Sequence, residues 1–333
     1  MIGEFALIRR FFTRPQRDLS PEVALGIGDD CALLQLAPGM QWAVSTDMLV
    51  EGRHFFADVD PEVLGHKALA VNLSDLAACG ARPIAFTLAL ALPSADEAWL
   101  GGFSKGLLAL ADAHACALVG GDTTRGPLNI CITVFGEIPV GRALLRSGAC
   151  PGDDLYVSGN LGDAHLALQA LQGSLPLPAA VLALCRERLE RPTPRIALGM
   201  ALRGVASAAA DVSDGLLGDL GHILERSGVG AIVDTRLALG LLACRHLWPD
   251  PTDSGAPLPE SALQSVLSGG DDYELVFTAA PLQRFAVQSA AREAGVPVTR
   301  IGQIDAAPGL RLLGPTGTPL PHHFPSFDHF ATG

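Results

Sequence analysis

Lysine is scarce in this sequence. Among 333 residues it occurs only as Lys67 and Lys105, so almost all fixed positive charge is arginine. Neither lysine lies in an obvious glycine-rich loop, and the phosphate-binding pattern G-x-x-x-x-G-K-[ST] is absent. The H-R-D and D-F-G strings of protein kinases are absent too. If the protein handles nucleotides, we therefore expect it to do so through metal ions held by aspartates.

Positive charge as a whole is outweighed, because the formal net charge is −12 at pH 7. That surplus of acid disfavours nucleic acid as a partner, since neutralising a phosphate backbone takes clustered cations. Long apolar runs are missing as well. None approaches the ~18 residues of a membrane helix, so we expect no membrane partner. Glu4 interrupts the first apolar stretch and no signal peptide is visible, so we expect a cytoplasmic protein.

The cysteines contain no C-x-x-C pair. We expect the seven of them to be reduced, small and mostly buried, as in a cytosolic protein. The sequence also has no H-x-x-x-H string and no Cys/His cluster, which are the usual signals of a zinc site.

Helix and strand patterns occur in both halves of the chain. Residues 60–80 predict a helix, and residues 84–92 alternate like a strand. Residues 41–47 predict a strand that runs into a polar end, and residues 116–122 predict a strand that ends in a turn. This mixture is typical of an α/β or α+β fold.

The turn-rich segment 146–154 indicates a domain boundary, because it separates the patterns of the first half from a new strand. A chain of this length is also too long for one ordinary core. We therefore predict two domains, 1–146 and 147–333.

Aspartates recur beside Gly, Ser or Thr where strands and helices are expected to end. Aspartate is common in turns and caps, so each one alone has an ordinary structural explanation. Together they favour a metal site, and oxygen-only ligands suit Mg²⁺. The candidates are Asp30, Asp47, Asp75, Asp122, Asp211, Asp214 and Asp271.

Asp75 is the strongest single candidate. It ends the apolar face of the predicted helix 60–80, where a carboxylate is costly to bury without a cation. Lys67, two turns earlier, is the cation nearest in sequence, so a metal ion is the natural partner. The alternative is that this helix end is simply exposed.

Ser213 and Asp214 stand at the predicted start of another helix. Free N–H groups and positive potential at a helix start can accept phosphate, with Asp211 and Asp214 holding a metal ion against it. An ordinary Ser/Asp cap is the alternative. His54 is a lone histidine that either binds a ligand or fills a structural role.

The string "LGIGDDCALL" (25–34) combines opposing features. Its Gly26-Ile-Gly28 turn exposes backbone N–H groups, as a phosphate-binding loop does, yet Asp29 and Asp30 follow directly. Acid beside such a turn is understandable if Mg²⁺ lies between carboxylate and phosphate. We expect Asp30 to bind the metal and Asp29 only to shape the turn.

Strings along nearly the whole chain, from Gly3 to Phe330, resemble those of the thiamine-monophosphate kinase family. That family belongs to the aminoimidazole ribonucleotide synthetase-like superfamily. The strings are "GEFALI", "GIGDDCALL", "STDMLVEGRHF", "KALAVNLSDLAACGA", "GGDTTRGP", "RSGACPGD", "DVSDGLLGDL", "SGGDDYEL" and "FDHF".

The resemblance implies a two-domain α/β (α+β) fold of the aminoimidazole ribonucleotide synthetase-like type. Residues 1–146 would bind ATP and Mg²⁺ and pair their sheets in a homodimer. Residues 147–333 would form an α/β domain that completes the nucleotide and substrate sites. It also implies an enzyme, a thiamine-phosphate kinase that uses ATP and several Mg²⁺ ions to convert thiamine monophosphate to thiamine diphosphate. That is the last step in making thiamine diphosphate.

The resemblance further assigns residues to roles. The implied Mg²⁺ ligands are Asp30, Ser45, Thr46, Asp47, Asp75, Asp122, Asp211 and Asp214. Asp30, Asp47, Asp122 and Asp214 are implied to be catalytic. The implied ATP contacts are Gly121, Asp122, Arg146 and Ser213, and the implied thiamine monophosphate contacts are His54, Asp271 and Phe327.

Three positions depart from the family pattern. Asp271 stands where the family often has Glu, so its reach is shorter. Phe327 stands where Tyr or Trp is frequent, so it can stack but cannot donate a hydrogen bond. Ser104 replaces a frequent tyrosine, which leaves the residue that stacks on adenine undetermined.

Four other functions compete with this prediction. A sister enzyme that phosphorylates an amide or carbonyl oxygen would have a similar metal site, and the residues at 54, 271 and 327 favour thiamine phosphate over it. Selenophosphate synthesis would need a reactive Cys or selenocysteine beside an N-terminal lysine, and no lysine precedes Lys67. A hydrogenase-maturation role would need a C-terminal cysteine, and the last one is Cys244. A non-catalytic metal-binding protein would bind Mg²⁺ without turning over ATP.

Overall fold

The computed structural model describes residues 4–15, 20–245, 260–320 and 324. The chain divides into two compact units. The N-terminal unit comprises residues 1–76 and 81–143, and the C-terminal unit comprises residues 77–80 and 144–333. The main division lies close to the boundary that the turn-rich segment after Arg146 predicts.

The N-terminal unit is built on a four-stranded sheet with the order β3-β6-β4-β5 within the described residues. Strands β3, β6 and β4 pair antiparallel, and β4 and β5 pair parallel. A short helix and a π-helical turn precede the sheet, followed by a β-hairpin. The elements are α1 (Glu4–Leu7), the π-helical turn (Ile8–Phe12), β1 (Val23–Leu25), β2 (Leu33–Leu34), β3 (Met40–Val50), α2 (Pro61–Cys79), β4 (Arg82–Leu92), α3 (Glu97–Ala113), β5 (Ala117–Arg125) and β6 (Asn129–Pro139).

Helix α2 follows the sequence signals closely. The Asp60 carboxylate accepts the N–H of Glu62 at 2.7 Å, and Pro61 occupies the first helical position. Gly80 then takes the left-handed conformation (φ 70°) that ends the helix. Most of α2 is buried, including Leu64, Leu69, Leu73 and Leu76. The apolar helix therefore supplies much of the core of this unit, and its polar residues are correspondingly few.

Two strands are longer than the sequence predicts. Strand β3 does not end at Asp47 but continues to Val50, because β6 pairs with it residue by residue as far as Asn129. Strand β5 likewise runs through its glycines to Arg125, paired with Leu92 of β4. The predicted polar strand ends therefore lie inside strands, where pairing with a neighbour fixes the backbone.

The C-terminal unit contains a seven-stranded mixed sheet with the order β13-β12-β9-β11-β7-β10-β8 within the described residues. Among the strands that the structure describes in this unit, only β12 and β9 pair parallel, so the α+β description suits this unit better than a parallel α/β sheet. The strands are β7 (Asp154–Ser158), β8 (Ala208–Val212), β9 (Gly230–Asp234), β10 (Glu274–Ala279), β11 (Val298–Asp305), β12 (Gly309–Leu313) and β13 (Pro319–Leu320). The helices are α4 (Asp163–Leu171), α5 (Ala179–Glu190), α6 (Ile196–Ala201), α7 (Leu216–Ser227), α8 (Thr235–Leu239), α9 (Glu260–Ser268) and α10 (Arg284–Ala294).

Helix α7 packs its apolar face into the main core of this unit. Leu217, Leu220 and Leu224 are all buried, as their spacing in the sequence predicts. The same core contains Val212 at the end of β8. This packing fixes the short loop between β8 and α7, which carries the predicted site residues Ser213 and Asp214.

No helix in the described parts of the chain has both the length and the apolar character needed to cross a membrane.

Candidate active site

A cleft in the N-terminal unit is lined both by the β1–β2 loop and by β5. Its volume is about 920 Å³, and its lining includes Asp29, Asp30, Gly121 and Asp122. Asp30 and Asp122 are both exposed. The structure thus brings two of the predicted metal-binding carboxylates to one cleft. Arg9 lines the same cleft and was not singled out from the sequence.

The β1–β2 loop uses its two aspartates differently. Asp29 accepts the backbone N–H of Asp30 through Oδ1 at 2.8 Å. Gly28 adopts φ 133°, a conformation that side-chain-bearing residues rarely take. Asp29 is therefore engaged within the turn.

Gly121 is the position in β5 where a side chain cannot be accommodated. Its φ is 146°, and a Cβ there would lie 1.8 Å from the carbonyl oxygen of Leu88. Glycine is required for β5 to lie this close to β4. Gly121 is also one of the residues that line the cleft.

A second group of predicted ligands lies where β3 packs against α2. Ser45 donates a hydrogen bond from Oγ to Oδ2 of Asp75. The backbone N–H of Asp47 donates to Oδ1 of Asn72 at 3.0 Å. Because alternate residues of a strand share a face, Ser45 and Asp47 lie on the side of β3 that meets α2. Asp75 is half-buried, so the end of this apolar helix face is not simply exposed.

Thr46 differs from its neighbours. Its side chain lies on the opposite face of β3, is exposed, and pairs with the hydroxyl of Thr133 at 2.8 Å. The hydroxyl of Thr46 therefore does not join the side chains of Ser45 and Asp47 on the α2 side, and the role of Thr46 as a metal ligand stays a prediction.

His54 lies in the turn after β3. The Nδ1 atom of its ring accepts the backbone N–H of Val50 at 3.0 Å. The backbone N–H of His54 in turn donates to the carbonyl oxygen of Val50. Since Nδ1 accepts, the neutral ring carries its proton on Nε2. One ring nitrogen therefore has a structural role, and the other is a hydrogen-bond donor.

In the C-terminal unit, backbone hydrogen bonds connect the end of β8 to the turn before β10. Asp211 is buried on β8, and Ser213 follows one residue after the strand. The backbone N–H of Asp271 donates to the carbonyl oxygen of Ser213 at 2.9 Å, and that of Tyr273 donates to Val212 at 2.8 Å. The structure thus places Ser213, a predicted ATP contact, beside the predicted substrate residue Asp271.

The turn before β10 is strained. Asp271 and Tyr273 both have positive φ values, 68° and 51°, although neither is glycine. Between them, Asp272 is buried and accepts the N–H of Gly162 at 2.8 Å, and burial raises the pKa of this carboxyl well above its usual value. Such backbone strain is concentrated at functional sites. The side chain of Asp272 is therefore held in the interior, while the side chain of Asp271 is half-buried.

The hydrogen bonds of Asp219 contradict the prediction that the backbone N–H groups before helix α7 bind phosphate. Oδ2 of Asp219 accepts the backbone N–H groups of Ser213 at 3.0 Å and Asp214 at 3.2 Å. Helix α7 begins only at Leu216, with Gly215 before it. The two N–H groups that we expected to bind phosphate therefore bind a carboxylate of the protein itself.

The environment of Asp219 raises its pKa to about 7. Burial is the main cause and the negative charge of Asp214 adds to it, while the N–H donors of Asp214 and Ser213 and the charge of Arg146 oppose it. Sequence reasoning missed Asp219, because its spacing from Ser213 is not that of a capping box. Only the folded loop reveals its role.

His165 was also missed. It lies in the first turn of α4, with Nδ1 and the Ser265 hydroxyl 3.1 Å apart. Burial lowers its pKa, and the negative charge of Asp271 opposes that shift. Phe327, the third predicted substrate residue, lies outside the described residues.

Comparison with known proteins identifies the class to which this fold and site belong. Residues 28–138 match the family model "AIR synthase related protein, N-terminal domain", and residues 151–314 match "AIR synthase related protein, C-terminal domain". The two matched segments cover most of the chain and carry every predicted site residue except Arg146 and Phe327.

Individual relatives define the family more narrowly. The chain is 50% identical over 333 residues to the thiamine-monophosphate kinase of Salmonella typhimurium, with 99% of each chain covered. It is similar to the crystal structure of thiamine-monophosphate kinase from Stenotrophomonas maltophilia (TM-score 0.82, 46% identity, 93% and 96% covered). It is also similar to AaThiL complexed with AMPPCP and TMP (TM-score 0.74, 28% identity, 98% and 97% covered). The chain belongs to the thiamine-monophosphate kinase family.

Proposed function

We propose that this protein transfers the γ-phosphoryl group of ATP to thiamine monophosphate, giving ADP and thiamine diphosphate. The observation that carries the proposal is the 50% identity to a thiamine-monophosphate kinase over 99% of both chains. The structure of AaThiL with AMPPCP and TMP supports it, because AMPPCP is an ATP analogue and TMP corresponds to the acceptor.

The donor atoms of the site fit Mg²⁺. The described residues that line the N-terminal cleft include no His and no Cys, and its acids are Asp29, Asp30 and Asp122. The β3–α2 group adds the carboxylate of Asp75 and the hydroxyl of Ser45. Hard oxygen ligands of this kind suit Mg²⁺.

We assign the Mg²⁺ ions to two sets of residues, one in each unit. The N-terminal ligands are Asp30, Ser45, Thr46, Asp47, Asp75 and Asp122, and the C-terminal ligands are Asp211 and Asp214. When bound, Mg²⁺ neutralises charge on the phosphates and on the developing transition state.

The residues assigned to ATP suit phosphate. Gly121 and Asp122 both line the cleft, and Asp122 would bind the phosphates of ATP through a metal ion. Arg146 is exposed and is the cation whose charge acts on Asp219 beside Ser213. We assign Asp219 a positioning role, because it holds the loop that carries Ser213 and Asp214.

Three residues are assigned to thiamine monophosphate. Nε2–H of His54 can donate to an oxygen or nitrogen of the substrate. Asp271 offers a carboxylate from a strained turn, and the carboxylate can pair with cationic or N–H groups of the substrate. Phe327 would stack on the thiazolium or pyrimidine ring, a contact worth about 0.5–2 kcal/mol.

We propose a direct in-line transfer without a phosphoenzyme. The second pKa of a phosphate monoester lies near ~6, so the acceptor phosphate is largely dianionic at neutral pH and needs no strong general base. The main barrier is repulsion between this dianion and the γ-phosphate. Two unit charges about 4 Å apart repel by roughly 4 kcal/mol at an effective dielectric near 20. The work of the chain is therefore to position the two phosphates and to supply compensating charge, including that of Arg146.

The experiment that tests this function is product identification. The purified protein is incubated with Mg-ATP and thiamine monophosphate, and thiamine diphosphate and ADP are quantified chromatographically. Equal amounts of both products are expected. ATP consumption without thiamine diphosphate, on an acceptor with an amide or carbonyl oxygen, would favour the sister enzyme instead. Mg²⁺ binding without ATP turnover would favour a non-catalytic role.

We also propose a homodimer that pairs the N-terminal sheets. Within the described residues, β3 is an edge strand whose Val44 and Met48 are 57% and 53% exposed. Phe135 and Cys131 of β6 lie opposite them in register. An exposed apolar strand at a sheet edge is usually covered by a partner.

A further inference from the structure

Two cysteines and an aspartate converge in the interior of the C-terminal unit. Asp163 opens α4, Cys185 lies on α5, and Cys244 follows α8. All three residues are buried, with at most 1% of their surface exposed. Their sulfur and carboxylate atoms all lie within 4.8 Å of one another, although the cysteines are 59 residues apart in the sequence.

The separations resemble the edges of a tetrahedral metal site. The sulfurs of Cys185 and Cys244 are 3.6 Å apart, and Cys185 Sγ lies 3.9 Å from Oδ1 of Asp163. In a tetrahedral zinc site, Zn–S bonds of about 2.3 Å place two sulfurs about 3.8 Å apart. A Zn–O bond of about 2.1 Å places oxygen and sulfur about 3.6 Å apart.

The carboxylate is held in place by the backbone. The N–H of Ala243 donates to Oδ2 of Asp163 at 3.0 Å, and the N–H of Cys244 donates to Oδ1 at 3.2 Å. These bonds orient the oxygens in the way that outer partners orient metal ligands. They also keep Cys244 close to Asp163, so the three donor atoms are prearranged.

We propose that Asp163, Cys185 and Cys244 form a structural zinc site. Two thiolates and one carboxylate favour a thiophilic divalent ion over the Mg²⁺ assigned to the active site. Among the described residues no fourth His, Cys or carboxylate joins the group, so a backbone carbonyl or water completes the coordination. The ion would tie α4 and α5 to the segment that follows α8.

Zinc binding at this site releases protons. Each thiol loses one proton as its Zn–S bond forms, so one Zn²⁺ displaces two protons and no electron is transferred. The thiol contact with Cys185, burial and the negative charge of Asp163 together raise the pKa of Cys244. A thiol held protonated in this way does not attack as a nucleophile, whereas a bound cation would stabilise its thiolate.

Metal analysis of the intact wild-type protein is the first test. The full chain is produced with zinc in the medium, dialysed against Mg²⁺ to displace ions held only by oxygens, and examined by native mass spectrometry. One zinc per chain with the loss of two protons is expected. X-ray absorption at the zinc edge should show two sulfur ligands, a result that depends on no variant.

Variants locate the site. Cys185→Ser and Cys244→Ser are each expected to retain less than about a tenth of the wild-type zinc. Cys116→Ser is the matched control, because it removes a buried thiol from the N-terminal unit. It should retain the wild-type zinc content.

Four results would overturn the proposal. These are wild-type protein without zinc, zinc with only nitrogen and oxygen ligands, equal zinc content in all three variants, and a Cys185–Cys244 disulfide in place of bound zinc. None of these measurements uses the kinase reaction, so the zinc proposal and the proposed function fail or succeed separately.

Discussion

At the scale of single residues, neighbouring aspartates have different uses. Asp29 and Asp30 both line the cleft. The carboxylate of Asp29 accepts the backbone N–H of Asp30 and so stabilises the turn. In the same way, Asp272 is buried against α4 while Asp271 is the predicted substrate contact. In each pair one acid accepts a backbone N–H, and the other is the acid that we propose to contact a ligand.

The first prediction separates the members of the Asp29–Asp30 pair. Asp30→Asn should lower kcat at least about 100-fold, because it removes the charge that we propose holds Mg²⁺ against phosphate. Asp29→Asn keeps an oxygen that can accept the N–H of Asp30, so its loss should stay below about 10-fold. Steady-state rates of thiamine diphosphate formation measure both. Equal losses would show that the two roles are wrongly divided.

The second prediction concerns Asp219. Its folded-state pKa of about 7 lies above the ordinary aspartate value of 3.8. Between these values the folded protein holds a proton that the unfolded chain has released. The proton on Asp219 therefore contributes fully to the free energy of unfolding below about pH 4. This contribution falls by at most about 1.4 kcal/mol per pH unit and is lost as the pH rises through 7.

Urea unfolding between pH 4.5 and 8 checks this prediction, with a chelator present so that no divalent cation acts on Asp214. Asp219→Asn is the matched variant, because the amide cannot titrate. As the pH rises to 7, the unfolding free energy of the wild type should fall relative to that of the variant. Above pH 7 the difference between the two should stay constant. A difference that does not vary with pH would contradict the raised pKa.

At the scale of elements, β5 and the β8–α7 loop position the site through close backbone packing. Gly121 allows β5 to lie against Leu88 of β4. In the other unit, a Cβ at Gly270 would lie 2.5 Å from the carbonyl oxygen of Ser213, so the turn before β10 is equally tight. Both glycines precede an aspartate that is assigned to the site, so packing sets where those carboxylates lie.

The third prediction tests this packing in β5. Gly121→Ala should lower the free energy of unfolding by at least about 2 kcal/mol, because the new Cβ clashes with a backbone oxygen and φ is unfavourable. Gly120→Ala is the control one residue away, where the nearest atom to a Cβ is Thr87 Cγ2 at 4.0 Å. Its effect should stay within about 1 kcal/mol. Chemical denaturation measures both, and similar losses would refute the packing argument.

Local sequence predicts helices better than strand ends here. Helix 60–80 carries its own cap, first-turn proline and terminal glycine, so its bounds follow from nearby residues. The ends of β3 and β5 depend on partners in β6 and β4 that are distant in the sequence, and both strands extend beyond their predicted ends. Asp219 was missed for a related reason, since its bonds to Ser213 and Asp214 exist only once the loop is folded.

At the scale of the whole molecule, the resemblance predicted the family, because its strings are spread over nearly the whole chain. It also named residues that the structure brings together within each unit, such as Ser45 with Asp75 and Ser213 with Asp271. It did not indicate Asp163, Cys185 and Cys244, because no short string contains them. Their proximity follows from the packing of three separate elements.

The fourth prediction concerns assembly. Met48→Glu places a charge on the exposed face of β3 and should shift the protein from dimer to monomer, because an unpaired charge in an apolar interface is costly. Leu282→Glu is the control, since Leu282 is 96% exposed in the C-terminal unit. Size-exclusion chromatography with light scattering gives the mass. A monomeric wild type, or an unchanged dimer in Met48→Glu, would contradict the proposed interface.

The central claim is that the phosphoryl group passes directly from ATP to thiamine monophosphate. The most direct measurement uses ATP with a chiral, isotopically labelled γ-phosphate and determines the configuration of the terminal phosphate in the thiamine diphosphate formed. A single in-line transfer predicts inversion. Retention of configuration would indicate a phosphoenzyme and contradict the account.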